Sequence, residues 1–472
     1  MEFTIAFGIW TLGAVIFLIC TLYYALELIP AYIRNRKQYQ NPIILTDQQI
    51  GELLKKTEQE LPIFKFQITT RGNEVEVVTR GIDSIYQIAQ NPLFRKNIEL
   101  LIVTDFQDEV VLFNQYLQNQ GIDISVEVIA VPPDYQTPKD SLYKARSLHY
   151  SSEFRAADPG EKRAFVFYFD AESTISEDDF RRIIHSILVS PEKKIFEGPI
   201  VYSHKYFDAN LISRQMEASR PFNCYHCAQV MTNPPPLHLH GSNLLVDAEL
   251  VSSIGWDSGR LPNDDPLLAE DLYFGMRAYS RFGREVFGWH GGLVTEQPPF
   301  SVRESFNARM RWITGAWQAL TLIRKNEEFL RLNWFARIRF LSRLRFRIIA
   351  HGISFFAALF IILTLLFVLV PSAFPFLAMD ASFISPMLRT FQVTVSRLIL
   401  LPGTLFWLFG IINGSSKNIR SLGLTKRQKT WEYIKLLLVT PIGGAVESFA
   451  ALYATLRYWI GHPYRSWDVT RK

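Results

Sequence analysis

Apolar segments of membrane length lie toward both ends of this 472-residue chain and restrict how it can fold. Residues 3–26 contain no charged side chain, and at about 1.5 Å per residue such a helix crosses the ~30 Å hydrocarbon core of a bilayer. Positive charges follow at Arg34, Arg36 and Lys37, whereas a cleaved signal peptide carries them before its apolar run. We therefore predict an uncleaved transmembrane anchor over residues 1–33, with the N-terminus outside and the following chain in the cytosol.

The C-terminal third contains further apolar segments. Residues 348–370 form a second uncharged span, and residues 390–412 are a third candidate, interrupted by Arg397. Residues 434–456 are broken by proline, glycine and glutamate, and a basic tail follows them. If this last segment crossed, the tail would lie outside, against the positive-inside rule. A re-entrant or interfacial arrangement keeps the tail inside, and we favour it.

Arginines interleaved with aromatic residues precede the second span. This pattern is typical of a helix lying on anionic lipid, so we predict interface helices and a C-terminal transmembrane region over residues 331–472. The net charge of +5 is modest, and the basic residues cluster beside the apolar segments, which favours membrane lipids over nucleic acid as partners. Three cysteines are too few for a disulfide framework and fit a reducing, cytosolic setting.

Residues 34–330 alternate between strand-like and helical patterns. Apolar runs typical of buried strands lie at residues 63–69, 98–104, 124–131 and 164–169. The alternation predicts an α/β domain with a mixed, mostly parallel sheet and helices on both faces. Ligands of such sheets bind beyond the C-terminal ends of the strands. Four polar residues would lie there: Thr70, Arg71, Asp105 and Asp170.

Two acidic pairs supply carboxylates. Asp170 and Glu172 follow a strand two positions apart, and Mg²⁺ is commonly held by one or two carboxylates together with substrate phosphates. The alternative is an ordinary acidic strand end. Glu270 and Asp271 begin a helical stretch, where the helix dipole keeps a carboxylate ionised, as a proton acceptor requires. The alternative there is a simple N-terminal cap.

Basic residues near these carboxylates are candidates for binding phosphate. Lys144 and Arg146 open a helix before the fourth strand. Arg309 and Arg311 lie in an amphipathic segment over residues 301–324, and their planar guanidinium groups suit diphosphate oxygens. The alternatives are solvated basic residues in the first case and a membrane-interface helix in the second.

Cys224 and Cys227 have the C-x-x-C spacing of zinc ligands, with His238 and His240 nearby. A structural zinc site generally combines two such pairs, whereas this chain has one. The two histidines are also close together in a proline-containing segment. We therefore favour a mobile loop near the acceptor over a zinc site.

Taken in order, these residues belong to a series of short motifs. The series includes Thr79-Arg80-Gly81, Lys144-Ala145-Arg146, Asp170-Ala171-Glu172, His240-Gly241-Ser242, Ala269-Glu270-Asp271 and Arg309-Met310-Arg311-Trp312. As an ordered set over about residues 69–312 it resembles family 2 glycosyltransferases. Within that family it is most similar to the egghead-type β-1,4-mannosyltransferases and capsule-synthase-like proteins. Cellulose and hyaluronan synthases are more distant relatives.

The resemblance implies the GT-A fold of nucleotide-diphospho-sugar transferases and a role for each motif. Asp271, with Glu270 beside it, would deprotonate the acceptor, and Asp170 with Glu172 would hold Mg²⁺ or Mn²⁺ against the diphosphate. The implied donor-binding residues are Thr70, Arg71, Asp105, Lys144, Arg146, Asp170, Arg309, Arg311 and Trp312. The implied acceptor-side residues are His240, Gly241 and Ser242.

The resemblance also implies an inverting, metal-dependent hexosyltransferase that forms a β-linked product at a membrane. The donor would be GDP-mannose or a UDP-hexose, and the acceptor lipid-linked, a glycolipid or a polysaccharide. A processive exopolysaccharide or capsule synthase is the alternative, although Ala308 replaces the glutamine of the Q-x-x-R-W motif associated with growing-chain enzymes. A non-catalytic membrane scaffold with the same fold is a third hypothesis.

Overall fold

The computed structural model describes residues 2–40, 43–72, 75–121, 123–154, 163–233, 236, 239–369 and 401–465. Three features singled out in the sequence lie outside these residues: His238, Arg397 and the first part of the candidate span at 390–412. The C-terminal residues 466–472 lie outside them as well.

The helices and strands follow the predicted alternation through the middle of the chain. The described α-helices are α1 Glu2–Gln40, α2 Asp47–Thr57, α3 Val75–Ala89, α4 Pro92–Arg95, α5 Gln107–Gln120, α6 Tyr143–Phe154, α7 Glu177–Val189, α8 Leu211–Ala218, α9 Arg220–Thr232, α10 Ala248–Ile254, α11 Glu270–Phe282, α12 Val302–Ile323, α13 Glu327–Arg331, α14 Trp334–Leu369, α15 Leu401–Asn418 and α16 Lys426–Trp459. The described strands are β1 Ile63–Thr69, β2 Ile98–Thr104, β3 Ser125–Ala130, β4 Ala164–Asp170, β5 Thr174–Ile175, β6 Ile195–Glu197, β7 Ile200–Tyr202, β8 Leu244–Asp247, β9 Phe287–Trp289 and β10 Val294–Glu296.

The main sheet has seven described strands in the order β3-β2-β1-β4-β8-β6-β9. Its neighbours pair in parallel except for β8, which is antiparallel to both β4 and β6. A smaller sheet has the order β5-β10-β7. The prediction of a mixed, mostly parallel sheet is therefore confirmed.

Strand β4 lies at the centre of the main sheet and is buried on both faces. Alternate side chains of a strand point to opposite faces. Phe165 and Phe167 accordingly belong to one hydrophobic cluster, which includes Phe180 of α7, whereas Val166 and Tyr168 belong to a second cluster on the other face. Packing on both faces explains why this segment is an almost uninterrupted apolar run. The polar residue Asp170 comes at its C-terminal end, where the buried part of the strand stops.

Three described helices are long and apolar enough to cross a membrane: Thr11–Lys37, Trp334–Thr364 and Lys426–Trp459. Two of them, α1 and α14, pack side by side, with the rings of Tyr23 and Phe346 4.9 Å apart. The predicted basic interface segment and the second span form one continuous helix, α14.

Helix α16 lies along the α/β domain for most of its length, which is about 50 Å for 34 residues. Near its start, Glu432 lies 3.3 Å from Arg214 of α8. Near its end, Thr455 accepts a hydrogen bond from the indole of Trp317 in α12 at 3.2 Å. Beyond the helix, Arg465 lies 2.7 Å from Asp265. Both ends of α16 therefore contact the same domain.

Candidate active site

The ends of β1 and β2 bring four of the predicted donor-binding residues together. Arg71, just after β1, donates from Nε to Asp105 Oδ2 at 2.8 Å. Arg146 of α6 lies 3.6 Å from the other oxygen of Asp105, which also accepts from Ser147 at 3.2 Å. Thr70 is buried beneath them, and its backbone N–H donates to Val103. Asp105 is thus held in place by two arginines.

Lys144 connects the end of β4 to the predicted acceptor side. Its Nζ lies 2.5 Å from Asp170 Oδ1 and donates to the carbonyl oxygen of Gly241 at 3.0 Å. Burial alone would lower the pKa of Lys144, but the charges of Asp170, Glu270 and Asp271 raise it overall. One lysine therefore faces three of the predicted carboxylates.

Gly241 lies where a side chain would have no room. A Cβ at this position would be 2.9 Å from Lys144 Nζ and 3.1 Å from Asp271 Oδ2. The ends of both side chains therefore approach the place that a side chain of residue 241 would occupy. The absence of a Cβ at Gly241 lets these two charged groups come this close to the main chain.

Glu270 and Asp271 form the first turn of α11, as predicted. Burial, followed by the charge of Glu270, raises the pKa of Asp271 to about 7, although Lys144 and His240 oppose this shift. Burial also raises the pKa of Glu270, and the opposing charges include Lys144 and Arg311. Arg311 is therefore close enough to Glu270 to favour its ionised form. A carboxylate with a pKa near neutrality is well suited to exchange a proton.

The remaining acceptor-side residues lie on the loop before β8. His240 Nδ1 lies 2.9 Å from Glu197 Oε1, and its backbone N–H donates to the same oxygen at 3.0 Å. Ser242 Oγ is 2.8 Å from Ser173 Oγ and accepts from the backbone N–H of Asp170 at 3.5 Å. The structure thus brings the His240–Ser242 loop against the end of β4.

The predicted metal ligands differ in accessibility. The side chain of Asp170 is 37% exposed, whereas Glu172 is 5% exposed. Within the described parts of the chain, no group of three or more metal-ligating side chains is close enough to hold an ion by itself. Because Mg²⁺ usually takes one or two carboxylates and completes its shell with phosphate oxygens and water, this donor set still fits an ion that arrives with a nucleotide diphosphate. The metal assignment to Asp170 and Glu172 stays a prediction.

Arg309 has other partners than the predicted donor. Its guanidinium, 2% exposed, donates to Glu217 of α8 at 2.7 Å, to Glu447 of α16 at 3.2 Å and to the carbonyl oxygen of Met216 at 3.1 Å. The ring of Trp312 lies 4.7 Å from Arg309 and 4.0 Å from Arg220. These contacts do not support a donor-binding role for Arg309, and they place Trp312 in the same ionic network.

The prediction of a mobile loop around Cys224 and Cys227 is wrong. Both cysteines lie in helix α9 and are buried. Pro221 occupies the first turn of that helix, where its missing N–H is tolerated. Among the residues that the structure describes, these cysteines do not join any group of three possible metal ligands.

Sequence reasoning assigned no role to three acids. Glu197, at the end of the short strand β6, and Glu217, in α8, are buried. Glu447 lies in the apolar part of α16, with its side chain 25% exposed. Only Glu447 carried a signal, because a carboxylate inside an apolar run requires a partner. Nothing near the other two distinguishes them from surface acids in the sequence.

Comparison with known families identifies the chain. The model of the glycosyl transferase family group 2 matches residues 165–411, more than half of the chain. The protein belongs to the family 2 glycosyltransferases. The predicted GT-A fold is confirmed by this match and by the α/β architecture described above.

Solved structures of glycosyltransferases resemble the chain more distantly. One is the mannosyltransferase PcManGT from Pyrobaculum calidifontis in complex with GDP-Man and Mn²⁺, with 14% identity, coverage of 92% of this chain and 98% of that one, and a TM-score of 0.44. Another is S. aureus TarS 1-349 in complex with UDP-GlcNAc, with 12% identity, coverage of 86% and 94%, and a TM-score of 0.35. No curated protein sequence matches the chain.

Proposed function

We propose that this family 2 glycosyltransferase moves a hexose from a nucleotide-diphosphate donor to a lipid-linked or glycolipid acceptor in the membrane, and that it forms a β linkage. The observation that carries the proposal is the convergence of Lys144, Asp170, Glu270 and Asp271 around the backbone of Gly241. GDP-mannose is our first candidate donor and a UDP-hexose the second. The egghead-type resemblance of the motifs and the two ligand-bound glycosyltransferases above suggest these candidates.

Asp271 is the proposed base. The acceptor hydroxyl oxygen attacks the anomeric carbon, its proton passes to Asp271, and the bond between that carbon and the diphosphate oxygen breaks. Because the pKa of Asp271 is raised to about 7, its carboxylate is basic enough to take the proton and is still largely ionised at slightly alkaline pH. The negative charge of the adjacent Glu270 helps to keep the pKa of Asp271 raised.

The proposed donor side consists of cations at the ends of β1, β2 and β4. Arg71 and Arg146 hold Asp105 for the nucleotide, and Lys144 with Arg311 stabilises negative charge on the departing diphosphate. Charge that grows toward the transition state is where such groups accelerate a reaction. A Mg²⁺ or Mn²⁺ ion bound at Asp170 and Glu172 would supply additional charge neutralisation on the diphosphate.

We further propose an arrangement in the membrane. An N-terminal anchor over residues 1–33 precedes a cytosolic catalytic domain over 34–330 and a membrane-associated region over 331–472. Helices α1 and α14 cross, and α15 returns to the domain, where Asn418 accepts a hydrogen bond from the backbone N–H of Tyr202 at 3.0 Å. Helix α16 lies in the interface and does not cross, because both of its ends contact the catalytic domain.

The activity is tested with protein purified into lipid nanodiscs. Labelled GDP-mannose and UDP-hexoses are offered together with lipid extracts and Mn²⁺, and the products are identified by mass spectrometry. We expect one labelled lipid product from one donor, and none from Asp271→Asn. A ladder of long polymers would show a processive synthase, and no turnover of any donor would favour the non-catalytic scaffold.

The membrane arrangement is tested with small epitope tags at the two termini. In sealed inverted vesicles, protease should remove a tag after Lys472 and spare a tag before Met1, and right-side-out vesicles should show the opposite. Two tags accessible from the same side would contradict the in-plane position of α16.

A further inference from the structure

Glu197 is a buried acid that the proposed mechanism does not use. It is 0% exposed at the end of β6, and its Oε1 receives both contacts from His240 described above. A carboxylate removed from water lowers stability unless a charged or hydrogen-bonding partner compensates for the lost hydration. Two contacts that compensate Glu197 come from one residue of the acceptor-side loop. This pairing connects a structural strand to the proposed active site.

His240 connects Glu197 to the surroundings of the proposed base. The next residue is Gly241, where a Cβ would lie 2.9 Å from Lys144 Nζ and 3.1 Å from Asp271 Oδ2. Burial alone would lower the pKa of His240, but the charge and hydrogen bonding of Glu197 raise it to about 9, with Cys224 acting in the same direction and Arg220 against it. His240 is therefore a cation at neutral pH.

The charges that act on Asp271 come from several elements. Glu270 of α11 opposes ionisation, whereas Lys144 of α6 and His240 of the acceptor-side loop favour it. Burial disfavours the cationic form of both Lys144 and His240, and nearby acids restore it in each. The acids beside Lys144 belong to the proposed site itself, whereas the acid beside His240 is Glu197, which the proposed mechanism does not use. If Glu197 were neutral, burial would favour the uncharged form of His240, and Asp271 would lose one of the cations that favour its ionisation.

We propose that Glu197 is a positioning residue: through its two contacts with His240 it holds the His240–Ser242 loop beside Asp271, and it thereby influences the pH range in which Asp271 accepts the proton of the acceptor. This inference rests on the proposed function, because it takes Asp271 as the base. A purely structural Glu197 would instead support the loop without influencing the pH dependence of transfer.

Glu197→Gln separates the two roles. The amide oxygen can still accept from the backbone N–H of His240, but the negative charge is gone. We expect the acid limb of the kcat/KM profile to move to higher pH by about one unit, which is about a tenfold loss on the acid side, with the alkaline plateau nearly unchanged. The sign follows because a neutral His240 favours the protonated form of Asp271.

His240→Gln should move the limb in the same direction, and it carries the test alone if Glu197→Gln does not fold. The double variant should show no further shift, since both changes remove one interaction. The matched control is Asp179→Asn, which removes the charge of a partly buried carboxylate that accepts from the backbone N–H of Leu293 at 2.9 Å, outside the site. It should leave the limb in place.

An equal loss of rate at every pH in Glu197→Gln, or a limb that stays in place in both variants, would overturn the positioning role. Failure of the proposed function is a different result. In that case the wild-type protein transfers no sugar, or Asp271→Asn retains full activity.

Discussion

Two arginines on α12, Arg309 and Arg311, lie two positions apart but in contrasting surroundings. Arg309 belongs to a buried network in which cations and acids are matched, together with Arg220, Glu217 and Glu447. Burial alone would raise the pKa of Glu217, but its two arginines lower it overall. Arg311 instead acts on Glu270, the first of the two acids that begin α11, and favours its ionised form.

The acidic pair shows the opposite behaviour. Burial and the neighbouring Glu270 raise the pKa of Asp271, because the cations around it do not offset the crowding of acids. Matched charges keep their protonation state and hold helices together, whereas crowded like charges are poised to exchange a proton. The difference between the two regions therefore separates a structural role for the network around Arg309 of α12 from a chemical role for the acidic pair of α11.

The largest expected effect on the transfer rate is at the acidic pair of Glu270 and Asp271. Asp271→Asn removes the proposed proton acceptor with little change in volume, and transfer should fall by about 10³-fold or more. Donor affinity, measured by calorimetry with the nucleotide sugar, should change little. A loss of donor binding equal to the loss of rate would reassign Asp271 to the donor side.

In the buried network around Arg309, substitutions should lower the stability of the fold instead of the transfer rate. Arg309→Met leaves Glu217 and Glu447 without a shared cation, and loss of one partner of a buried ion pair typically destabilises a protein by about 3–5 kcal/mol. Thermal unfolding in detergent measures the change. Arg309→Met combined with Glu217→Leu and Glu447→Leu is the control and should recover much of the stability. Full stability with lost donor binding in Arg309→Met would restore the role predicted from the sequence.

Arg311→Gln tests whether the second arginine of α12 serves the reaction and not the stability of the fold. It should lower the transfer rate by about 10²-fold, because one cation that stabilises the leaving diphosphate is lost. The unfolding temperature should stay close to that of the wild type, unlike that of Arg309→Met. A variant that unfolds early but transfers at a normal rate would assign Arg311 to the structural network.

The smallest effect is expected at Asp170. Asp170→Asn should weaken donor binding about tenfold in the presence of Mn²⁺, because one carboxylate ligand is replaced by a neutral amide. In EDTA the two proteins should bind donor equally. Equal affinities with Mn²⁺ would remove Asp170 from the metal site and leave its contact with Lys144 as its role.

The fold was largely predictable from the sequence because the central strands are nearly continuous apolar runs. The run that became β4 is apolar on both faces, and only a sheet covered on both sides requires that. Helix α9 was missed for the opposite reason. The spacing of Cys224 and Cys227 suggested ligands, and the prolines after them suggested a loop, whereas burial against α1 and the sheet favoured a helix.

The site was predictable where acids and cations follow strand ends or open a helix, as with Asp105, Asp170 and Asp271. It was not predictable where the direction of a side chain decides its role. Residues two apart on an α-helix point about 200° from each other, so Arg309 and Arg311 could not both face one substrate. Glu197 gave no signal, because its partner His240 is 43 positions away.

Gly241 also limits how the sequence can vary. A methyl group there would meet the ends of two flexible side chains, so the ammonium of Lys144 and the carboxylate of Asp271 would have to move away from the loop. Alanine at this position is therefore expected to leave the fold intact and to slow the reaction by separating these two groups. The missing side chain of Gly241 is thus as much a part of the proposed site as the charged groups around it.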